Sequence, residues 1–211
     1  MSGYLAEFIT LAGLHALAVA SPGPDFALVL KQSIVHGRAT ALATSAGVGT
    51  GIILHVLYSL LGFGLLVKSS LMAFTVMKML GAAYLLWIGF HAIRAQARKY
   101  EVFAERDSAR PVPTRRAAFV TGFMTNATNV KATLFFISVF SVVISPQTPR
   151  SVQAGYGAWM ALTTAGWFML VSLFLTQPRI RRAFTRFGHW FERTMGVVLI
   201  ALGVRLALAR Q

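Results

Sequence analysis

The chain has no cysteine and few charged residues. Of its 211 residues only 12% are charged, and only six are Asp or Glu. The lack of cysteine excludes disulfides, thiol redox chemistry and cysteine-ligated metals. Charged residues make up about 25% of a soluble domain, whereas here 56% of the residues are hydrophobic and the mean hydropathy is +0.64. These values exclude an ordinary soluble domain and predict an integral membrane protein.

Apolar runs long enough to cross a bilayer occur six times. A spanning helix needs about 20 residues, so six of them leave little of the chain for a soluble domain. We place the spans at about 4–35, 39–67, 71–93, 117–144, 152–176 and 190–208. The sequence therefore predicts an all-α integral membrane protein with six transmembrane helices. Its parts are a first three-helix half (1–93), a cytoplasmic linker (94–116) and a second three-helix half (117–211).

The positive charge is unevenly distributed among the predicted loops. A net charge of +14 is by itself typical of proteins that bind nucleic acid or anionic lipid. However, loops one, three and five hold most of the 20 Lys and Arg residues: Lys31 and Arg38; Arg94, Arg98, Lys99, Arg106, Arg110, Arg115 and Arg116; and Arg179, Arg181, Arg182, Arg186 and Arg193. Loops rich in Lys and Arg stay in the cytoplasm. Both termini are therefore predicted to be periplasmic, and we expect contact with membrane lipid but not with nucleic acid.

The N-terminal apolar run ends in a sequence that resembles a signal-peptide cleavage site. That sequence is Ala18-Val19-Ala20, but no Lys or Arg precedes the run, and Glu7 does. Because a signal peptide has a basic n-region, we expect no cleavage here.

One acid lies inside the first apolar run. Asp25 ends the stretch Ser21-Pro22-Gly23-Pro24-Asp25. A charge within a membrane segment costs about 3 kcal/mol on insertion scales and marks a functional site by default. Two prolines break the helix, and such a break is tolerated at membrane depth only inside protein or beside a water-filled cavity. The structural alternative is an acid at a helix start, which the helix dipole favours.

A second group of polar side chains lies in the fourth span: Thr125, Asn126, Thr128, Asn129 and Lys131. With a helix rise of 1.5 Å per residue, Asp25 lies about 15 Å, and Asn129 about 18 Å, from the cytoplasmic end of its own span. The two groups are therefore expected at similar depth. Three spans on each side of a cytoplasmic linker make the two halves inverted repeats, with the first helix of each half interrupted. Paired interrupted helices are typical of a transporter binding site.

Small residues give weaker indications. Gly47-x-x-x-Gly51 in the second span is a close-packing pattern, and it serves a homodimer as easily as an internal contact. The segment 81–89 in the third span is similar to 196–203 in the sixth, which favours an internal repeat. One face of the second span holds three side chains that form either a polar path or a structural network: His55, Tyr58 and Ser59.

With these motifs in place, the chain resembles the lysine exporter family of bacterial inner-membrane proteins, and within it the threonine/homoserine-resistance branch of threonine efflux proteins. The resemblance rests on residues 21–25, on Gly122 to Asn126 leading to Asn129 to Ala132, and on the arginine-rich stretch from Arg179. It covers essentially the whole chain. It implies export of small amino acids, such as threonine or homoserine, across the inner membrane by proton antiport.

The chain departs from the family pattern at one position. The family has a proline between the asparagine and the lysine, where this chain has Val130. In an unbroken helix, Asn129 and Lys131 would point to opposite sides. Either polar side chains and water open the helix here, or only one of the two residues faces a cavity.

The polar residues fit a binding scheme for a zwitterionic amino acid. Asp25 holds the ammonium group or carries the coupled proton. Lys131 and the backbone N–H groups after Pro24 hold the carboxylate, unless Lys131 is only the counter-ion of Asp25. The amide and hydroxyl groups of the fourth span hydrogen-bond the substrate. The predicted site is Pro22, Gly23, Pro24, Asp25, Thr125, Asn126, Asn129 and Lys131, with no cofactor and no metal.

Three other functions stay open. A metal-ion exporter would need a cluster of ligands, whereas His15, His55 and His91 are scattered along the chain. An intramembrane enzyme would need a nucleophile paired with a base or metal-ligand spacing, and neither stands out, so we do not expect an enzyme. A membrane scaffold that transports nothing would be unaffected when Asp25 becomes Asn.

Overall fold

The computed structural model describes residues 2–21, 23–69, 71–94, 111–145, 147–175 and 177, and parts of 189–208. Within these ranges, the helices with defined ends are α1 (Ser2–Ala20), α2 (Pro24–Val35), α3 (Gly37–Ser69), α4 (Leu71–Ile93), α5 (Arg115–Ala127), α6 (Val130–Val142) and α7 (Arg150–Leu175). The described residues between 189 and 208 are helical as well. The described part of the chain contains no strand, which confirms the predicted all-α class.

Among the described residues, three stretches of helix are long and apolar enough to cross a membrane: Gly3–Ala20, Gly37–Leu61 and Arg150–Leu175. Val130–Phe140 is a shorter apolar stretch. The length and hydropathy of these helices are those expected of a membrane protein. Most of the predicted linker, 95–110, and part of the sixth predicted span lie outside the described residues.

Both predicted helix interruptions occur. α1 ends at Ala20 and α2 begins at Pro24, so the first predicted span is interrupted between these two residues. α5 ends at Ala127 and α6 begins at Val130, with Asn129 as its N-cap. The fourth predicted span is therefore broken even though Val130 occupies the position of the family proline.

α3 is the central helix of the fold. It contacts α2, α4, α5, α6 and α7, and it packs most extensively against α5 and α7. α3 and α5 approach closely because each has a glycine at the crossing. A Cβ atom on Gly47 would overlap the carbonyl oxygen of Phe119, and one on Gly122 would overlap that of Thr44. The glycine pattern of the second predicted span therefore serves an internal contact with α5.

In the described part of the chain, two clusters of buried apolar side chains flank the helix interruptions. The first apolar cluster draws on α1, α3, α6 and α7 and includes Leu11, Ile52, Val56, Phe135, Phe136, Val139, Phe140, Tyr156 and Met160. The second apolar cluster draws on α2, α3 and α7 and consists of Phe26, Val29, Leu30, Val48, Phe168 and Leu175. α1 thus contributes to the first cluster and α2 to the second, with the first interruption between them.

Candidate functional site

A cavity of about 50 Å³ lies where the two interruptions meet. One water molecule needs about 10–15 Å³ of such space, so the cavity has room for a few waters. Residues of both apolar clusters form part of its wall. The described lining residues are His15, Ala18, Val19, Gly23, Asp25, Ile52, Asn126, Asn129, Lys131, Ala132, Phe135, Phe136, Thr164 and Phe168.

Asp25 lies on the cavity wall in the first turn of α2 and is only 8% exposed. Its Oδ2 atom accepts hydrogen bonds from Asn126 Nδ2 at 2.9 Å and from Asn129 Nδ2 at 2.8 Å. Its Oδ1 atom is buried and has no hydrogen-bond partner in the described part of the chain. A buried acceptor without a partner costs free energy. One oxygen is therefore held by the α5–α6 junction, while the other makes no hydrogen bond within the described residues.

Asn129 explains why the fourth predicted span breaks without a proline. Its Oδ1 atom accepts a hydrogen bond from the backbone N–H of Lys131 at 3.0 Å, which caps α6 in the way that asparagine commonly caps helices. Its Nδ2 atom donates to Asp25. Val130 is then the first residue of α6, the position at which proline is also favoured. Polar side chains therefore open this helix.

A histidine from α3 stabilises the end of α5. The carbonyl oxygen of Asn126 lies 2.9 Å from His55 Nε2 and 2.9 Å from the backbone N of Asn129. Because a carbonyl oxygen only accepts, Nε2 carries the hydrogen, and Nδ1 of the neutral ring accepts from the hydroxyl of Tyr58 at 2.6 Å. The His55 ring also stacks on Phe136. Of the two interpretations of this polar face, the contacts of His55 and Tyr58 match the structural network.

Lys131 reaches from α6 to the end of α1. Its Nζ atom donates to the carbonyl oxygen of Ser21 at 2.7 Å and to that of Ala18 at 3.2 Å. These carbonyls lie at the C-terminal end of α1, where the helix dipole favours a cation. A Cβ atom on Gly23 would lie 3.3 Å from Lys131 Cδ, so glycine leaves room for the lysine chain. Asn129 and Lys131 both line the cavity.

The remaining predicted site residues lie elsewhere. Pro24 is exposed at the start of α2, and Thr125 is half-buried one residue before Asn126. Neither is among the residues that line the cavity, so the substrate contact of Thr125 stays a prediction. Pro22 lies outside the described residues. In the described ranges, no three His, Asp or Glu side chains are grouped as they would be to hold a metal ion.

The cavity wall also contains two polar residues that the sequence did not predict there, His15 and Thr164. His15 is 2% exposed, and its Nε2 atom lies 3.1 Å from both the carbonyl oxygen of Met160 and the hydroxyl of Thr164. In the sequence, His15 is one polar residue in an apolar run. The face of α1 that meets the cavity depends on contacts with distant helices, so no local pattern marks it.

The acid of α1, Glu7, lies away from the cavity. The carboxylate of Glu7 accepts hydrogen bonds from the hydroxyl of Thr148 at 2.9 Å and from the backbone N–H of Ser145 at 3.0 Å. It attaches the start of α1 to the α6–α7 connection. Glu7 is not among the cavity-lining residues, which makes it a matched control for Asp25.

Comparison with known proteins places these features in a family. Residues 16–210 match the family described as LysE type translocator. The chain is 29% identical over 206 residues to the threonine efflux proteins of Salmonella typhi and Escherichia coli (strain K12), a match that covers 98% of this chain and 100% of each relative. It is 37% identical over 134 residues to the homoserine/homoserine lactone efflux protein of Salmonella typhimurium, covering 63% of this chain and 62% of that relative. No solved structure matches the chain significantly. Since the family match covers nearly the whole chain and several helices have the length and hydropathy of membrane spans, this multi-pass membrane protein belongs to the LysE type translocator family.

Proposed function

We propose that the protein exports small amino acids, such as threonine or homoserine, across the bacterial inner membrane in exchange for protons. The observation that carries this proposal is the buried carboxylate of Asp25 at the junction of two interrupted helices, with one oxygen held by Asn126 and Asn129. The relatives named threonine efflux protein and homoserine/homoserine lactone efflux protein favour this class of substrate.

The cavity wall carries both charges that a zwitterionic amino acid needs. Asp25 Oδ1 accepts from the ammonium group of the substrate. The N-terminal ends of α2 and α6 border the cavity at Gly23 and Asn129, and the N-terminal ends of broken helices attract anionic substrate groups in transporters. Lys131 stands beside them and completes the carboxylate subsite. Asn126 and Asn129 orient Asp25. Because the Nδ2 atom of each already donates to Asp25 Oδ2, these amide nitrogens do not contact the substrate.

Proton coupling follows from the same carboxylate. Asp25 is the only acid among the described residues that line the cavity. One carboxylate oxygen cannot hold a proton and an ammonium group at once, so each displaces the other. Substrate leaves when a proton arrives from the periplasm, and the proton leaves before the next substrate binds from the cytoplasm. This competition couples the two opposite flows.

Contacts between α4 and the C-terminal residues support an arrangement of two inverted halves, 1–93 and 117–211. Each half has three spans, and the cytoplasmic linker 94–116 joins them. A Cβ atom on Gly196 would lie 2.6 Å from the carbonyl oxygen of Gly89, and one on Gly203 would lie 3.1 Å from that of Ala82. Gly89, at the end of segment 81–89, thus lies against Gly196 at the start of segment 196–203. Ala82, near the start of the first segment, lies against Gly203 at the end of the second. A twofold relation between inverted repeats produces this reciprocal pattern.

The two apolar clusters then act as gates. The first apolar cluster and the second apolar cluster both contribute to the cavity wall, through Phe135 and Phe136 in one case and Phe168 in the other. Opening one cluster while the other stays closed would expose Asp25 to one side of the membrane at a time. With loops one, three and five in the cytoplasm, the second apolar cluster is the cytoplasmic gate.

Uptake into everted membrane vesicles under an imposed pH gradient tests the proposal. We expect gradient-dependent threonine uptake by the wild type and by Glu7→Gln, and none by Asp25→Asn. The Glu7 variant makes the same change from acid to amide outside the cavity. Equal uptake by Asp25→Asn would contradict the role of Asp25. If the wild type accumulates neither threonine nor any other amino acid of a panel, the transport proposal itself fails.

Threonine counterflow without a pH gradient separates the two roles of Asp25. Counterflow needs substrate binding and translocation but no net proton movement. If Asp25 holds the ammonium group, Asp25→Asn loses counterflow as well as gradient-driven uptake, which is the expected result. Counterflow that persists in Asp25→Asn would show that the carboxylate carries the proton only.

A further inference from the structure

We propose that His15 binds the side-chain hydroxyl of the transported amino acid and thereby selects hydroxy amino acids over analogues that lack the hydroxyl. This inference rests on the proposed function and names the substrate class of the same site. It assigns a specificity-determining role to a residue that lies in α1, whereas Asp25 lies in α2.

The His15 ring is fixed by contacts from two other helices. Its Nε2 atom lies 3.1 Å from the carbonyl oxygen of Met160 and 3.1 Å from the hydroxyl oxygen of Thr164. Its centroid lies 6.0 Å from that of Phe135 and 5.8 Å from that of Trp159. The imidazole is therefore held from both α6 and α7, and only 2% of the residue is exposed.

These contacts determine which ring nitrogen accepts a hydrogen bond. The carbonyl oxygen of Met160 can only accept, so Nε2 of His15 carries a hydrogen. In the neutral ring, Nδ1 is then a lone-pair acceptor. Nδ1 is buried and has no hydrogen-bond partner among the described residues. A fixed, buried acceptor without a partner in a cavity wall is the group that recognises a ligand hydroxyl.

The position of His15 suits the side-chain end of an amino acid. His15 and Ala18 are three residues apart and share one face of α1, with about 4.5 Å between them along the helix axis. The carbonyl oxygen of Ala18 accepts from Lys131 Nζ at 3.2 Å. Because Nζ also donates to the carbonyl oxygen of Ser21, His15 stands between one and two helical turns from the lysine that we place at the carboxylate subsite. Threonine and homoserine bear their hydroxyl on the β or γ carbon, within reach of such a spacing.

The surroundings of His15 make substrate selection depend on the side-chain hydroxyl of the substrate. The neighbouring wall is largely apolar, with Val19, Ile52 and Phe135. A substrate with a hydroxyl satisfies Nδ1, whereas an apolar analogue leaves it buried and unpaired. Sites built to bind a hydroxyl reject the analogue that lacks it for this reason.

Initial rates of uptake into everted vesicles test the inference, with threonine compared with 2-aminobutyrate, its analogue without the hydroxyl. The variants are His15→Gln and, as the matched control, His91→Gln. In His15→Gln, the side-chain amide of the introduced glutamine keeps a donor for the carbonyl of Met160 but offers no acceptor at the position of Nδ1. His91 is exposed and binds the carbonyl of Trp87 in its own helix. Because an unsatisfied buried acceptor costs about 1–3 kcal/mol, we expect the wild type and His91→Gln to prefer threonine by about tenfold in kcat/KM, and His15→Gln by about twofold or less, with 2-aminobutyrate still transported.

The outcomes separate this inference from the proposed function. An unchanged threonine preference in a transporting His15→Gln overturns the role of His15 and leaves amino-acid export standing. A wild type that transports neither compound overturns both. If His15→Gln does not reach the membrane, Thr164→Val decides, because it removes one of the two groups that hold Nε2. A preference that falls about twofold or more supports the inference, and an unchanged preference overturns it.

Discussion

Replacing Asn129 separates the two hydrogen bonds that its side chain makes. Serine retains an oxygen that caps α6 by accepting from the Lys131 N–H, but its side chain is too short to reach Asp25. Alanine loses both contacts. The two variants therefore distinguish the cap of α6 from the bond to the carboxylate.

The structure gives the expected magnitudes. The bond from Asn129 Nδ2 to Asp25 Oδ2 measures 2.8 Å, and a hydrogen bond to a charged group contributes about 1.5–3 kcal/mol. An N-cap contributes about 1 kcal/mol. We therefore expect Asn129→Ser to lower the free energy of unfolding by about 1.5–3 kcal/mol, and Asn129→Ala by about 2.5–4 kcal/mol.

A double-mutant cycle isolates the contact. The free energy of unfolding is measured in mixed detergent micelles by titration with SDS, for Asp25→Ala, Asn129→Ser and their combination. We expect a coupling energy of about 1.5–3 kcal/mol. Ser138→Ala is the control in α6, because the Ser138 hydroxyl donates to Leu134 of its own helix, and it should combine with Asp25→Ala additively. Additive effects of Asp25→Ala and Asn129→Ser would refute the assigned hydrogen bond.

Three further changes test the helix junction and the packing around it. Val130→Pro should change the free energy of unfolding by less than about 1 kcal/mol. The reason is that Asn129 already has the extended backbone (φ −75°, ψ 103°) that precedes a proline. A loss of several kcal/mol would contradict the assignment of Val130 to the first helical position. Gly122→Ala should cost about 1–3 kcal/mol because the new Cβ overlaps the α3 backbone, whereas Gly166→Ala, where nothing lies within 4 Å, should cost nothing in the same titration. Lys131→Gln should lower stability by about 1.5–3 kcal/mol through the lost bonds to α1 and raise the KM for threonine in vesicle uptake; an unchanged KM would remove Lys131 from the carboxylate subsite.

Local sequence signals located the stretches that form α1 to α7 and the first interruption. The third predicted span, 71–93, has the same ends as α4. The first interruption follows from local chemistry, since Pro22 and Pro24 lack the N–H groups that a helix needs. Asp25, as a charge between apolar runs, was likewise visible without any tertiary contact.

The break in the fourth predicted span depends on tertiary contacts. Asn126 and Asn129 hold the junction open only because His55 from α3 binds one backbone carbonyl and Asp25 from α2 binds both amides. A sequence shows these polar residues but not which of them meet. The alternatives left by Val130 were therefore decided by helices distant in the chain.

The partners of Lys131 and the position of His15 could not be predicted for the same reason. Opposite charge suggested a contact of Lys131 with Asp25, but it did not suggest the hydrogen bonds that Lys131 donates to the carbonyls of Ala18 and Ser21. These backbone acceptors exist only because α1 ends at Ala20. His15 lines the cavity because α6 and α7 pack against the same face of α1.

The pH dependence of threonine binding tests the central claim most directly, because the account makes one carboxylate serve both the ammonium group and the proton. Binding to purified protein is measured by isothermal titration calorimetry, across a pH range in which threonine stays zwitterionic, for the wild type, Asp25→Asn and Glu7→Gln. The account predicts saturable binding that weakens as the pH falls in the wild type and Glu7→Gln, and no binding in Asp25→Asn. Binding of equal strength in all three proteins, independent of pH, would contradict it.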